Sequence, residues 1–493
     1  MPDSVASPAT AKAPRKLSQA VVIVHGMGEQ RPMDTLRGFV QAVWSYDPTR
    51  APFYAHVADP ADPAGAQINQ SWITPDSRTN SYELRRITTP YDVDGRRTDF
   101  YELYWADITQ GTTRGRLAAW VTNLLWRKPA DIPRDARKLY LVTLFAVIVV
   151  LGATLALATS VRQGYMSWGA GVLVTTLASF IIWSVDRFGL PYFGDVAAYV
   201  RAEAATVEKR ALVRDRGLRL LRGLMMDDAY DRIVLVSHSL GSMIAYDLLQ
   251  ILWSDFRPRR LEAIRDKAKL KAIRALDKAT LVADGSAWPD RLDDLAGFRR
   301  DQWELYRQLR TRDADHPLPW KISDFVTLGS PLTHGEFLVT YNLAEFRRGI
   351  AERLFSACPP IAEGAAAGGT VLYQEGRSPS GKPQRAVHHG AVFAATRWTN
   401  IFDSGNGWLT GDPISGPMAE NFGPGVENVQ VELRGSLGRI FTHTLYWSLA
   451  ATGVEVTVPV GVASRSHLAV LRDAVDLGRK LEPGRPPPAS PQA

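Results

Sequence analysis

A serine becomes a nucleophile most readily where an apolar strand runs into a tight turn and then a helix. Arg232–Ser242 reads RIVLVSHSLGS, which places Ser239 on such a turn. The turn lifts the hydroxyl clear of the sheet, and the residues two positions to either side must be small because the strand and helix backbones approach closely there. Here they are Ser237 and Gly241, with serine standing where glycine is more usual. The following helix directs the Leu240 N–H toward the point where negative charge would develop. The chemistry implied is acyl transfer through a covalent serine ester.

Acyl transfer calls for a second backbone donor to the oxyanion. Val21–Gly28 reads VVIVHGMG, a strand followed by a glycine-bearing loop, and the Met27 N–H is the candidate. His25 precedes the nucleophile in the chain and is read as shaping this loop. His238 adjoins Ser239 but points elsewhere in such a turn, and is read as structural. Ser330, in TLGSPL, is a rival nucleophile, but Pro331 cannot open the required helix in the same way.

Taken together, HGMGEQ, SHSLGS, TLGSPL, GDPI and HTLYW resemble an α/β-hydrolase of the lipase and esterase kind. They are similar to phospholipase-like members with a DDHD domain and to uncharacterised bacterial hydrolases that open with H-G-x-G-E-Q. The resemblance covers residues 20–255 and 320–450, apart from two long apolar segments within the first of these ranges. It implies a triad in the order serine, acid, histidine. On that order the acid follows the strand Trp398–Phe402, where Asp412 in GDPI is favoured over Asp403. The base follows the strand Val429–Leu433, where His443 is favoured over His467; His388 and His389 precede the acid and fit poorly. The expected site is therefore Ser239, Asp412 and His443, with Met27 and Leu240 as oxyanion donors and no metal or organic cofactor.

The elements that must hold these residues alternate along the chain. Strands are expected at Ala20–Val24, Tyr82–Thr88, Thr98–Trp105, Arg232–Val236, Phe325–Leu328, Trp398–Phe402 and Val429–Leu433. Helices are expected at Met33–Trp44, Val196–Met226 and from Leu240 to about Trp253. Strands separated by helices argue for an α/β protein: a mostly parallel sheet with helices on both faces. The sheet starts late for the full eight-stranded hydrolase pattern, so its first two strands are expected to be absent or replaced. Residues 256–318 are charged and helical in pattern, and read as a helical insertion or a cap over the site.

Two segments of 23 residues, 139–161 and 163–185, carry no charge. About 20 apolar residues suffice for a helix to cross a bilayer. They read as a transmembrane helical hairpin within 127–190. Arg127, Lys128, Arg134, Arg137 and Lys138 precede it and Arg187 follows, against Arg162 alone at its tip. That basic excess places both globular parts in the cytoplasm, with two spans in a bacterial inner membrane. Trp120–Trp126 reads as an interfacial stripe or an ordinary packed helix.

The remaining organisation follows. Residues 1–19 form a flexible tail without a secretory signal. Residues 20–126, 191–255 and 319–481 make up the hydrolase domain, and 482–493 form a proline-rich tail. The net charge of +7 comes from 58 basic and 51 acidic residues, an excess that a membrane surface explains without nucleic acid. With Cys358 as the single cysteine, no intramolecular disulfide and no multi-cysteine zinc site can form. The functional expectation is a membrane-anchored serine hydrolase of carboxylic esters, lipid esters in particular. The site mouth is expected to face the bilayer. The alternatives are an inert membrane scaffold on a hydrolase fold, and an acyltransferase or thioesterase using the same triad.

Overall fold

Strands buried on both faces must be apolar throughout, and VVIV at 21–24 and IVLV at 233–236 satisfy this. In the computed structural model they lie side by side at the centre of a nine-stranded sheet. The structure describes residues 17–27, 31–50, 56–58, 67–79, 83–92, 95–109, 206–259, 264–280, 294–312, 316–340, 342–361, 369–405, 410–458 and 462–479, with isolated positions between.

The strands of this sheet are β1 (Leu17–Val24), β2 (Trp72–Pro75), β3 (Arg85–Thr88), β4 (Arg96–Leu103), β5 (Tyr230–His238), β6 (Ile322–Leu328), β7 (Arg397–Phe402), β8 (Glu427–Arg434) and β9 (Thr452–Glu455). Their spatial order is β9-β8-β7-β6-β5-β1-β4-β3-β2. The six strands from β8 through to β4 run parallel, whereas β9, β3 and β2 pair antiparallel at the two edges. The fold is thus α/β with a mostly parallel sheet. Two further strands, β2 and β3, occupy the edge beyond β4. They do so because a short turn, in which Asp92 accepts from both Gly95 and the Arg96 N–H, folds the chain straight back into β4.

Alternation along each strand divides the core in two. Ala20, Val22, Val24, Ile233 and Leu235 join one apolar cluster, and Val21, Ile23, Val234 and Val236 join the other. Helix α1 (Asp34–Val40), continued by a wider π turn over Gln41–Ser45, covers the second face. The last helix, here α6 (His467–Val475), lies on the same side. Helices α2 (Val207–Met226), α3 (Gly241–Phe256), α4 (Lys267–Ala279) and α5 (Leu295–Leu309) cover the first.

The described helices of the charged stretch 256–318, α4 and α5, therefore cover the sheet. From α5 and the residue after it, Arg299 donates to the Trp398 carbonyl, Tyr306 to the Asp231 carbonyl, and Arg310 pairs with Asp231. All of these partners lie at the amino ends of β5 and β7, the end opposite Ser239.

The strand β1 begins at Leu17, earlier than the expected tail boundary, because Gln19 is drawn inward by hydrogen bonds to Thr98 and to the Leu477 carbonyl. Beneath the sheet, the fully buried Arg232 guanidinium bonds Asp324, Ser323, Gln19 and the carbonyls of Val475 and Asp476. Arg397 takes the other oxygen of Asp324. Two buried arginines share one carboxylate, which their charge holds well below the ordinary aspartate range despite its burial.

Among the described residues no helix is long and apolar enough to cross a membrane. The segments 139–161 and 163–185, but for single positions, lie outside the described residues, as do Trp120–Trp126 and both terminal tails from 1–16 and 482–493. Of those single positions, Leu141, Ile148 and Leu155 are helical and exposed.

Candidate active site

Open parallel sheets bind ligands at the carboxyl ends of their strands, where the chain's strand order reverses. That reversal occurs here at β1: the next strands in the chain go to one side of it and β5 onward to the other. Val24 stands opposite Ser237 across this junction, so the loop after β1 and the turn after β5 are neighbours.

Ser239 occupies the turn with φ 51°, a left-handed conformation that a non-glycine residue adopts only under constraint. The constraint is visible on both sides. Its N–H donates to the Leu328 carbonyl at 3.0 Å, and its carbonyl accepts from the Ser242 N–H and hydroxyl. Gly241 is obligatory: a Cβ there would lie 2.4 Å from the His25 carbonyl oxygen. Ser237, in the usual glycine position, is fully buried and turns its hydroxyl back to the Val326 carbonyl. The Leu240 N–H donates no hydrogen bond among the described residues and is available at the start of α3. Met27 is buried at the loop after β1, whereas Gly28–Gln30 lie outside the described residues. A Cβ on Gly26 would come within 2.9 Å of the Ser239 Cβ, so this loop lies directly against the nucleophile turn.

His443 and Asp412 meet on the other side. The His443 Nδ1 is 2.9 Å from Asp412 Oδ2, which also accepts from the Tyr446 hydroxyl at 2.8 Å, while Oδ1 accepts the Ile414 N–H. Burial alone would raise this carboxyl. The His443 imidazole and these hydrogen bonds outweigh burial and hold it below the ordinary aspartate value. Ser239, Asp412 and His443 are each no more than 2% exposed. The Ser239 Oγ and the His443 Nε2, the two atoms a catalytic pair would join, are buried without a hydrogen-bond partner among the described residues. Both residues border Leu328-Gly329: the Leu328 carbonyl receives the Ser239 N–H, and a Cβ on Gly329 would lie 3.2 Å from His443 Nδ1.

The alternatives have other work. Asp403 accepts from the Leu433 N–H, the Thr442 hydroxyl and Arg439, so it clamps the loop that carries His443. Burial raises its carboxyl above the ordinary value. Ser330 bonds the Ser242 hydroxyl and caps the turn that follows it. His25 donates from Nδ1 to the Gly26 carbonyl, accepts the Trp105 N–H on Nε2 and stacks on the Trp105 indole. Burial pushes it down to about 4, so it shapes the loop as a neutral ring. His467 reaches the Ser448 carbonyl and His388 accepts the Gly390 N–H, with neither joining Asp412. Cys358 is buried, and burial pushes its thiol up to about 12.

One participant escaped sequence reasoning. Tyr446 links Asp412 to Ser415 and to the Asp403 N–H; its signal was a tyrosine three residues after His443 within HTLYW. His238, read from the sequence as structural, contacts the backbone of His443, a link no local pattern announces.

No family model, curated protein or solved structure matches this chain. Among the described residues no group of histidine, cysteine and carboxylate side chains is arranged to hold a metal ion.

Proposed function

We propose that this chain is a serine hydrolase of the α/β-hydrolase type that cleaves carboxylic esters, lipid esters in particular. We further propose that residues 139–161 and 163–185 anchor it in a bilayer as a two-helix hairpin with the hydrolase domain in the cytoplasm. The observation that carries the reading is one arrangement: a serine held at φ 51° between a parallel strand and a helix, beside a histidine bonded at 2.9 Å to a buried aspartate.

The chemistry follows from the atoms in place. Ser239 Oγ attacks the ester carbonyl carbon while His443 Nε2 takes its proton. Asp412 holds the imidazole in the tautomer that leaves Nε2 free and stabilises it once charged. The oxyanion is met by the Leu240 and Met27 N–H groups. The alcohol leaves with the proton from His443. Water then attacks the acyl-serine, again through His443, and releases the acid. The two uncharged apolar runs in the sequence favour an ester presented in a membrane.

The test is labelling of the membrane fraction with a fluorophosphonate probe. Wild type is expected to label, and Ser239→Ala and His443→Ala to lose labelling. A wild-type protein that folds but does not label would favour the inert scaffold. Product analysis with competing alcohols separates hydrolysis from acyl transfer.

A further inference from the structure

The turn that delivers His443 has an unusual division of polarity. Gly435 and Gly438 exchange backbone hydrogen bonds, Gly411 donates to the Arg439 carbonyl, and Thr442 donates to the Gly411 carbonyl. The turn's one cation, Arg439, points inward to Asp403 and Glu432. Much of its backbone and its one cation are thus bonded within the domain, leaving the Ser436 hydroxyl as its exposed polar side chain. Its apolar side chains face out: Leu437 is 72% exposed, Ile440 54% and Phe441 49%. Phe441 sits at φ 50°, with its ring centroid 6.0 Å from that of His443. This turn lies beyond the carboxyl end of β8, on the edge of the sheet that holds Ser239.

The chain enters its uncharged segments at the same edge. Ile132 is buried against Phe337, with Tyr140 and Leu338 packed on the pair. Phe337 belongs to the stretch Pro331–Leu338 that follows β6 and Ser330. Just beyond Tyr140, the helical positions Leu141, Ile148 and Leu155 are exposed at intervals of seven.

We propose that the turn Gly435–Phe441 is a bilayer-docking element that seats the mouth of the site on a lipid surface. The occupant is the acyl region of the leaflet, reached by Leu437, Ile440 and Phe441. Three side chains are too little for a stable protein interface, which buries about 800 Å² on each partner. With Arg439 neutralised, the turn has no charge to select one. Ile132 and Tyr140, where the chain enters its uncharged segments, pack at this edge, and the inference takes over the proposal that those segments lie in a bilayer. The inference rests on the reading of Ser239 as acting on lipid esters, and it adds the surface by which the site draws them from the leaflet.

The test uses the full chain reconstituted in phosphatidylcholine vesicles. Cys358 is the sole cysteine and is buried, so Leu437→Cys can be labelled selectively with an environment-sensitive fluorophore. Ser380→Cys is the control, on an exposed hairpin tip whose strand Pro383–Val387 bonds Pro258 just past the far end of α3. Spin-labelled lipid is expected to quench the probe at 437 several-fold more than the probe at 380; equal quenching overturns the proposal. In parallel, Leu437→Ser/Ile440→Ser should lose about tenfold or more on vesicle-borne ester and stay within about twofold on a soluble short-chain ester. Equal loss on both, or loss on neither, counts against docking. Fluorophosphonate labelling of the same samples reports on Ser239 separately: labelled but unquenched protein sinks docking alone, whereas quenched but unlabelled protein supports docking and sinks the hydrolase reading.

Discussion

The Nε2 of His238 lies 2.8 Å from the main-chain carbonyl oxygen of His443, and the two rings are 4.7 Å apart. The residue preceding the candidate nucleophile thus holds the backbone of the candidate base. Burial and the neighbouring His443 push its imidazole down to about 3, so it is neutral through any ordinary assay range and donates its proton to that carbonyl. A Cβ on Gly26 would meet its other nitrogen at 2.8 Å, which places the loop after β1 against the same ring. Removing the ring as His238→Ala should lower kcat about tenfold to a hundredfold, the scale of a small misplacement of reacting groups. Because His238 does not titrate in that range, the inflection of the pH–rate profile should stay where wild type has it. A shifted inflection would assign the ring a proton-transfer role instead.

Asp412 and Asp403 should separate by what their loss damages. Asp412→Asn removes the acceptor that orients His443 and should reduce kcat by about a thousandfold or more while the fold persists. Asp403→Asn releases Arg439, Thr442 and the Leu433 N–H, and should register mainly as a lowered Tm. Steady-state kinetics and thermal unfolding of the two variants, side by side, check the assignment.

Glu102 is buried, and its carboxyl is pushed up to about 7 by that burial, against the pull of the Met33 N–H it accepts at 2.9 Å. Its folded-state value lies above the ordinary 4.5, so the folded protein holds the proton more tightly than the unfolded chain. The group is neutral in both states at low pH and costs stability as pH rises from about 4.5 to 7, with the full cost present above that window. Glu102→Gln keeps the acceptor and should stabilise the protein by on the order of 1–3 kcal/mol at pH 8 and by nothing measurable at pH 4. Denaturant unfolding at the two pH values decides.

Asp324 behaves in the opposite sense. Its carboxyl is depressed by Arg397 and Arg232, so its contribution is present above the ordinary aspartate range and lost as pH falls through the lowered value. Asp324→Asn leaves two buried guanidinium groups sharing no carboxylate and should cost about 3–5 kcal/mol. The unfolding midpoint at neutral pH measures it, and a change below about 1 kcal/mol would contradict the buried network.

The centre of the sheet was legible because its strands are apolar on both faces, as VVIV and IVLV show without help from neighbours. The edges were not. In β2 and β9 most side chains are exposed, so neither an apolar run nor alternation marks Trp72–Pro75 or Thr452–Glu455. The amphipathic pattern of α4 and α5 announced a buried face but not what would bury it. The tight turn at Ser239 was readable because it is a local constraint carried by Ser237 and Gly241. Choosing Asp412 over Asp403 needed a resemblance, since bonds such as Asp403 to the Leu433 N–H link residues 30 apart in sequence and leave no periodic trace.

The Arg232 guanidinium has a consequence for the order of assembly. It reaches Gln19 in the first strand and the Val475 and Asp476 carbonyls at the close of the last helix. A growing polypeptide that has made the central strands still lacks the groups that complete this clasp. The clasp, and the sheet it ties together, can be completed only once the far end of the chain has been synthesised.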